Sequence, residues 1–482
     1  MSESWWGGEP QENQKSQGVN NATGGASTGV GSTSTSSTGV DGANMSSTGV
    51  SDAGASGRKI KGKAGEPATR KRNPAKILIP VCVILAVAVV AGGVALNWDK
   101  ITGGANTNTT VSEGSDDGQN NASNTDDYGE QVMSVQLTSG TVTTTIDGKS
   151  ITYTGAYVVD GIDVTVSSGV YESVADDEVV FLVVNGGSLK IDGKVAVNKS
   201  GSADFAGRGD NYSFYGTNSA IVVVGEGSSV SINGANITTT VSGANAVVAT
   251  NGGDVLIEGS SIKTTKDNSR GLHATYSGKI TADTVEIATQ GGSCATLATD
   301  RGAGTVVADN MTLSTAGAGS PLIYSTGDIT VTNSTGTATG AQIAVVEGKN
   351  SITLQGCEFS ANGVGNRNGV DNAGVMIYQS MSGDASVGSG SFTATDCTLT
   401  ILSSSKVYAD APFFFVTNTD AIISLTGVTA EFSSAQVFVS ALGTSEWGKS
   451  GANGGTVSIS LSDVSATNTT VDVDDISSVS GI

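Results

Sequence analysis

Apolar residues fall along this chain in two unlike patterns. The first is one uncharged run, ILIPVCVILAVAVVAGGVAL, at residues 77–96. A helix of that length spans about 30 Å, the hydrocarbon thickness of a bilayer, so the run predicts a transmembrane helix. A cleaved signal peptide is the poorer reading, because 76 residues precede the run. The second pattern is an alternation of period two that returns every 24–26 residues. It is plainest in AIVVVGEGSSVSINGANITTT (220–240), AVVATNGGDVLIEGSSIKTT (246–265), GLHATYSGKITADTVEIATQ (271–290) and ATLATDRGAGTVVADNMTLSTA (295–316).

Stacking these units gives columns of like residues. Ile221, Val247, Leu272, Thr296, Leu322 and Ile343 form one, and Val223, Ala249, Ala274, Ala298, Tyr324 and Val345 a second two places on. The second strand of each unit opens with Val230, Val255, Ile280, Val306, Ile329 and Ile352, and Thr239, Thr264, Thr289 and Thr315 also align. Period-two columns mark strands with one face inward, and their return every two dozen residues lays each strand over its predecessor. No helical run separates the strands, which excludes a βαβ fold, and the period is too short for a four-stranded propeller blade. The expectation is an all-β fold, a parallel β-helix solenoid preceded by one transmembrane helix and a disordered N-terminal tail.

The motif [VI]-x-[IAVL]-x-x-x-x-[IL]-x-T, seen in VSINGANITT, VLIEGSSIKT, ITADTVEIAT and VVADNMTLST, resembles the right-handed parallel β-helix proteins of the pectin-lyase-like superfamily. The likeness is to membrane-anchored bacterial surface proteins of that shape and covers roughly residues 150–470. It implies a fold and leaves the chemistry open, since the superfamily holds polysaccharide lyases, glycoside hydrolases and non-catalytic adhesins or carbohydrate-binding modules.

Charge orients the chain. Residues 1–76 carry 9 Lys and Arg against 6 Asp and Glu, and the other 406 carry 15 against 39. Basic residues from Arg58 to Lys76 crowd one flank of the apolar run, so the positive-inside rule places the N-terminus in the cytoplasm and the C-terminal portion outside the cell. The resulting division is a low-complexity cytoplasmic tail (1–76) with STGV repeats, the transmembrane helix (77–96), a flexible linker (97–130) and the β-helix ectodomain (131–482). The acidic surface disfavours nucleic acid and is compatible with Ca²⁺; no cofactor motif is present.

Candidate chemistry is sparse. Were the ectodomain a lyase or hydrolase, Asp267, Arg270, His273, Asp300 and Arg301 would supply its acids and bases. Extended-strand arithmetic from the columns above puts Arg270 roughly 20 Å and His273 roughly 11 Å from Asp300, too far to share a proton. His273, the only histidine, then reads as a substitution in an outer apolar strip, and Tyr276 shares a column with Asp300. The aromatics of NYSFYG are better candidates for a ligand: Tyr212, Phe214 and Tyr215, beside Arg208 and Asp210, with Trp447 in a second insertion and Tyr276 on the neighbouring rung. Exposed rings among polar groups suit sugar stacking; the alternative is that they shield the solenoid. Cys357 and Cys397 share a core column, where adjacent coils would permit a disulfide, while Cys294 stays free. The favoured reading is a non-catalytic surface adhesin or carbohydrate-binding protein, with an extracellular lyase or hydrolase and a ligand-free structural stalk as its rivals.

Overall fold

The computed structural model describes residues 128–361, 373–380, 384–401, 412–432, 437–441, 456–466, 471–473 and 475–480. The tail, the apolar run at 77–96 and nearly all of the linker lie outside them. Among the described residues no helix is long and apolar enough to cross a membrane.

The described chain is all-β and built from parallel strands coiled into a solenoid, consistent with a β-helix. A representative coil runs through strands Val247–Thr250, Asp254–Glu258 and Ser261–Thr264, and the next through Leu272–Thr275, Gly278–Asp283 and Glu286–Thr289. Each strand pairs in parallel with its counterparts above and below, so the first strands make one sheet and the second and third strands another. The second and third strands alternate buried and solvent-facing positions, as GKITAD and EIAT do at 278–283 and 286–289. Their inward residues, among them Ile257, Ile280 and Ile287, join inward residues of the first strands in one continuous core.

Two local features hold the coils in phase. The corner between second and third strands is a single left-handed residue in most coils, including Thr284 (φ 55°), Asn310 (54°), Asn333 (49°) and Asp396 (53°). Asparagine and aspartate tolerate that conformation, and the Asn310 and Asn333 amides also donate to Asp283 and Asp309 of preceding coils, both at 2.9 Å. The expected threonine column is the second feature. Thr264, Thr289 and Thr315 donate to the carbonyls of Ser269, Cys294 and Ser320 at 2.5–2.6 Å, closing each coil on itself.

The N-terminal end departs from the repeat. Gly140–Ile146 and Lys149–Asp160 form an antiparallel hairpin before parallel pairing begins with Glu178–Val184. Asp147 and Gly148 (φ 49° and 73°) make its two-residue turn, the type I′ geometry that Asp-Gly favours. Residues 128–139 close the core beneath, with Leu137 buried in it.

The first strands differ from the others in being buried on both faces, each reading as four successive buried residues. Two apolar clusters lie on their outer side. Val222, Val224 and Val248 pack under Phe214, Tyr215 and Tyr276, while Ala298, Tyr324, Val345, Met376, Tyr378 and Phe415 form the other.

Candidate functional site

Between those clusters lies a polar group closed from solvent. Its assembly rests on a register one residue away from the expected one. Leu272 pairs with Leu297, His273 with Ala298 and Thr275 with Asp300. Thr296, Leu322 and Ile343 therefore do not continue the Leu272 column; Leu297, Ile323 and Ala344 do. Tyr276 leaves the column too, since its N–H donates to the Arg301 carbonyl. Parity then puts Asp300 on the same outer face as His273, diagonally across neighbouring strands.

This corrects the separations expected from the extended chain. The guanidinium Nη2 of Arg270 reaches Asp300 Oδ2 at 3.3 Å, and His273 Nε2 lies 3.7 Å from the same oxygen. Arg270 sits in the connector after the Asp267–Asn268 turn rather than on a straight prolongation of the strand, and its long side chain covers the remaining gap. Its Nη1 lies 3.3 Å from Ser213 Oγ in the segment that covers the sheet. All of these side chains are buried. Burial pushes the His273 imidazole down to about 4, with Arg270 acting the same way against Asp300, so it is neutral at pH 7. Burial alone would raise the Asp300 carboxyl, but His273 and Arg270 outweigh it and hold the group below the usual carboxylate range.

Arg301, the next residue, faces a different set. It contacts Asp210 Oδ2 at 2.9 Å and Asp384 Oδ1 at 2.6 Å, and its guanidinium carbon stands 3.8 Å from the centre of the Phe214 ring. These two carboxylates, outweighing burial, hold its pKa above the ordinary arginine value. Asp210 precedes a short π-helical turn at Asn211–Tyr215, in which Tyr212, Phe214 and Tyr215 are fully buried. The rings expected to stand in solvent therefore shield the sheet. Tyr215 stacks on Tyr276 at 5.3 Å, Tyr153 donates to the Tyr215 carbonyl at 2.9 Å, and Tyr212 donates to Asp177 at 2.6 Å. Arg208, half-exposed, pairs with Asp177 at 3.2 Å. The physical reason is the outer face of the first strands: with Val222, Val224 and Val248 pointing outward, apolar surface there has to be covered.

A second polar group was not foreseen from the sequence. Buried Glu347 accepts hydrogen bonds from the hydroxyls of Tyr324, Tyr378 (2.7 Å) and Ser380. Burial and the neighbouring Asp384 push its carboxyl up to about 7, against the three hydroxyl donors. In the correct register Glu347 holds the last place of its first strand, as Asp300 does in an earlier coil, and its neighbour there is Tyr378. The two acids recur at one place of the repeat in either register, which was the available signal; the one-residue slip put that place on the inward face and set Glu347 out of line with Tyr378.

The remaining candidates lie elsewhere. Asp267 is exposed and accepts the Gly292 N–H at 2.7 Å, a turn contact away from the Arg270 group. Trp447 lies outside the described residues. Cys357 and Cys397 are buried in adjacent coils, the Cys357 N–H 3.4 Å from Cys397 Sγ, and both are thiols in this structure. Cys294 replaces serine in a row with Ser269 and Ser320, accepting the Ser269 N–H at 3.0 Å. Among the described residues no group of three or more His, Cys, Asp and Glu side chains is placed to hold a metal ion. Comparison with protein families, curated proteins and solved structures finds no match to this chain.

Proposed function

We propose that the chain is a single-pass membrane protein whose extracellular solenoid binds carbohydrate without transforming it. One observation carries the non-catalytic part: the acid–base candidates that cluster are walled in, and exposed Asp267 stands apart from them. Arg270, His273, Asp300 and Glu347 are each 0–1% exposed, so a polysaccharide has no route to them without removing the cover. The apolar run at 77–96 and its basic flank support the anchor, and the coil of about two dozen residues supports a right-handed, pectin-lyase-like solenoid.

With the rings buried, the surface left for a ligand is the open side of the second and third strands. There Thr330, Thr353 and Thr393 stand in register along one column, followed by Ser424 and Ser460. Hydroxyls repeated about every 4.8 Å offer donors and acceptors to a neutral, hydroxyl-bearing polymer, which the acidic protein does not repel. The test is a glycan array probed with full-length protein and with its Thr330→Val/Thr353→Val/Thr393→Val variant. Neutral-glycan binding is expected and should fall in the variant. Release of reducing ends or unsaturated sugars would instead establish the lyase or hydrolase, and no binding at all the structural stalk.

A further inference from the structure

The N-terminal end of the solenoid is a strand edge that carries no charge. Gly140–Ile146 terminates the first-strand sheet, and Val132–Met133 terminates the other sheet at the same end. The hairpin register pairs Ile146 with Lys149, Thr144 with Ile151 and Val142 with Tyr153. Residues flanking a two-residue turn form a hydrogen-bonded pair, and such pairs alternate along the strand. The backbone N–H and C=O groups of Thr141, Thr143 and Thr145 therefore point away from the hairpin partner, and no described residue bonds them. Proteins blunt such edges with lysine, proline, a bulge or a covering loop. GTVTTTI has neither charge nor proline, and its pairing shows no bulge. Val132 and Val135 are 50% and 44% exposed on the same end.

We propose that this edge pairs with its own copy in a second molecule, antiparallel about a two-fold axis through Thr143. Thr143 then faces Thr143, Thr141 faces Thr145, and the outward donors and acceptors match one another. An uncharged strand has nothing with which to repel its image. The hydroxyl pairs Thr143–Thr152 (3.0 Å) and Thr141–Thr154 (3.3 Å) continue across the junction. A single seven-residue edge covers less than the roughly 1,200 Å² of a stable complex, so the pair is of the weak, reversible class that confinement on one surface strengthens.

The register dictates the test. Full-length protein in a Cys82→Ser background is oxidised in its native membrane and separated without reductant. Thr143→Cys should give a disulfide-linked dimer. Thr141→Cys and Thr145→Cys should each stay monomeric alone and cross-link when the two are co-expressed. Adding Thr141→Lys and Thr145→Lys to Thr143→Cys should lower dimer yield about tenfold or more while leaving the melting temperature unchanged, because these side chains are exposed. The proposal is overturned if Thr143→Cys stays monomeric with the fold intact, if it links to its own chain or to another protein, or if its dimer survives the lysines.

Discussion

Each coil has one wall buried on both sides and two walls open to solvent on one. On the open walls every second residue meets water, most of these side chains are polar, with Leu256, Val307 and Ile422 standing among them, and one coil is much like the next. On the closed wall the outward positions hold His273, Asp300, Tyr324, Glu347 and Tyr378, and two insertions reach over them. Repetition alone settles the open walls. The closed wall is individual, because a polar group there must find a specific partner once water is excluded.

That contrast can be tested by substitution. The largest effect is expected from separating a buried ion pair: Asp300→Asn or Arg270→Met should cost about 3–5 kcal/mol, read as a drop in urea midpoint. A loss below 1 kcal/mol would show that water reaches the closed wall after all.

Titration gives the next effect. The folded state keeps the Glu347 proton to about 7, whereas the unfolded chain releases it near 4.5, so stability falls as pH rises through that window. His273 acts in the opposite sense, neutral in the fold down to about 4 but protonated near 6.5 when unfolded, so stability rises with pH between those values. Each contribution is on the order of 3 kcal/mol, and in the native protein they largely cancel. Glu347→Gln should expose the histidine's rising limb, and His273→Leu the glutamate's falling one, in urea midpoints measured from pH 4 to 8. Variants with identical pH profiles would contradict this.

Two smaller effects belong to the open walls and their corners. Thr284 is a β-branched residue at a left-handed corner where other coils place Gly, Asn or Asp, so Thr284→Gly should raise stability by about 1 kcal/mol in the same assay. Thr353→Ala, on the solvent-facing column, should change it by less than about 0.5 kcal/mol. A larger loss there would mean the open walls too depend on specific partners.

The same contrast explains what was legible in the sequence. The second and third strands alternate, so a one-residue error would turn their apolar residues outward; Val255, Ile280 and Val306 were aligned correctly, as were the corner cysteines and the threonine column. The first strands are apolar on both faces, so Thr296 and Leu297 fit the Leu272 column equally well by pattern. The slip carried Asp300 away from His273 and Glu347 away from Tyr378. The antiparallel hairpin was also missed, although Asp147-Gly148 between VTTTI and KSITYT is a strong turn signal. Burial of Tyr212, Phe214 and Tyr215 follows from the outward valines they cover, which a single strand's pattern does not disclose.

Arg301 also bears on how the solenoid comes apart. A stack in which every coil touches only its neighbours frays from its ends, one rung after another. Arg301 grips Asp210 and Asp384, 91 and 83 positions away along the chain, and so ties coils that share no strand pairing. Under tension or in denaturant the rungs between those carboxylates are held to open as a block, and their amide protons should exchange together at a rate that Arg301→Ala splits into separate steps.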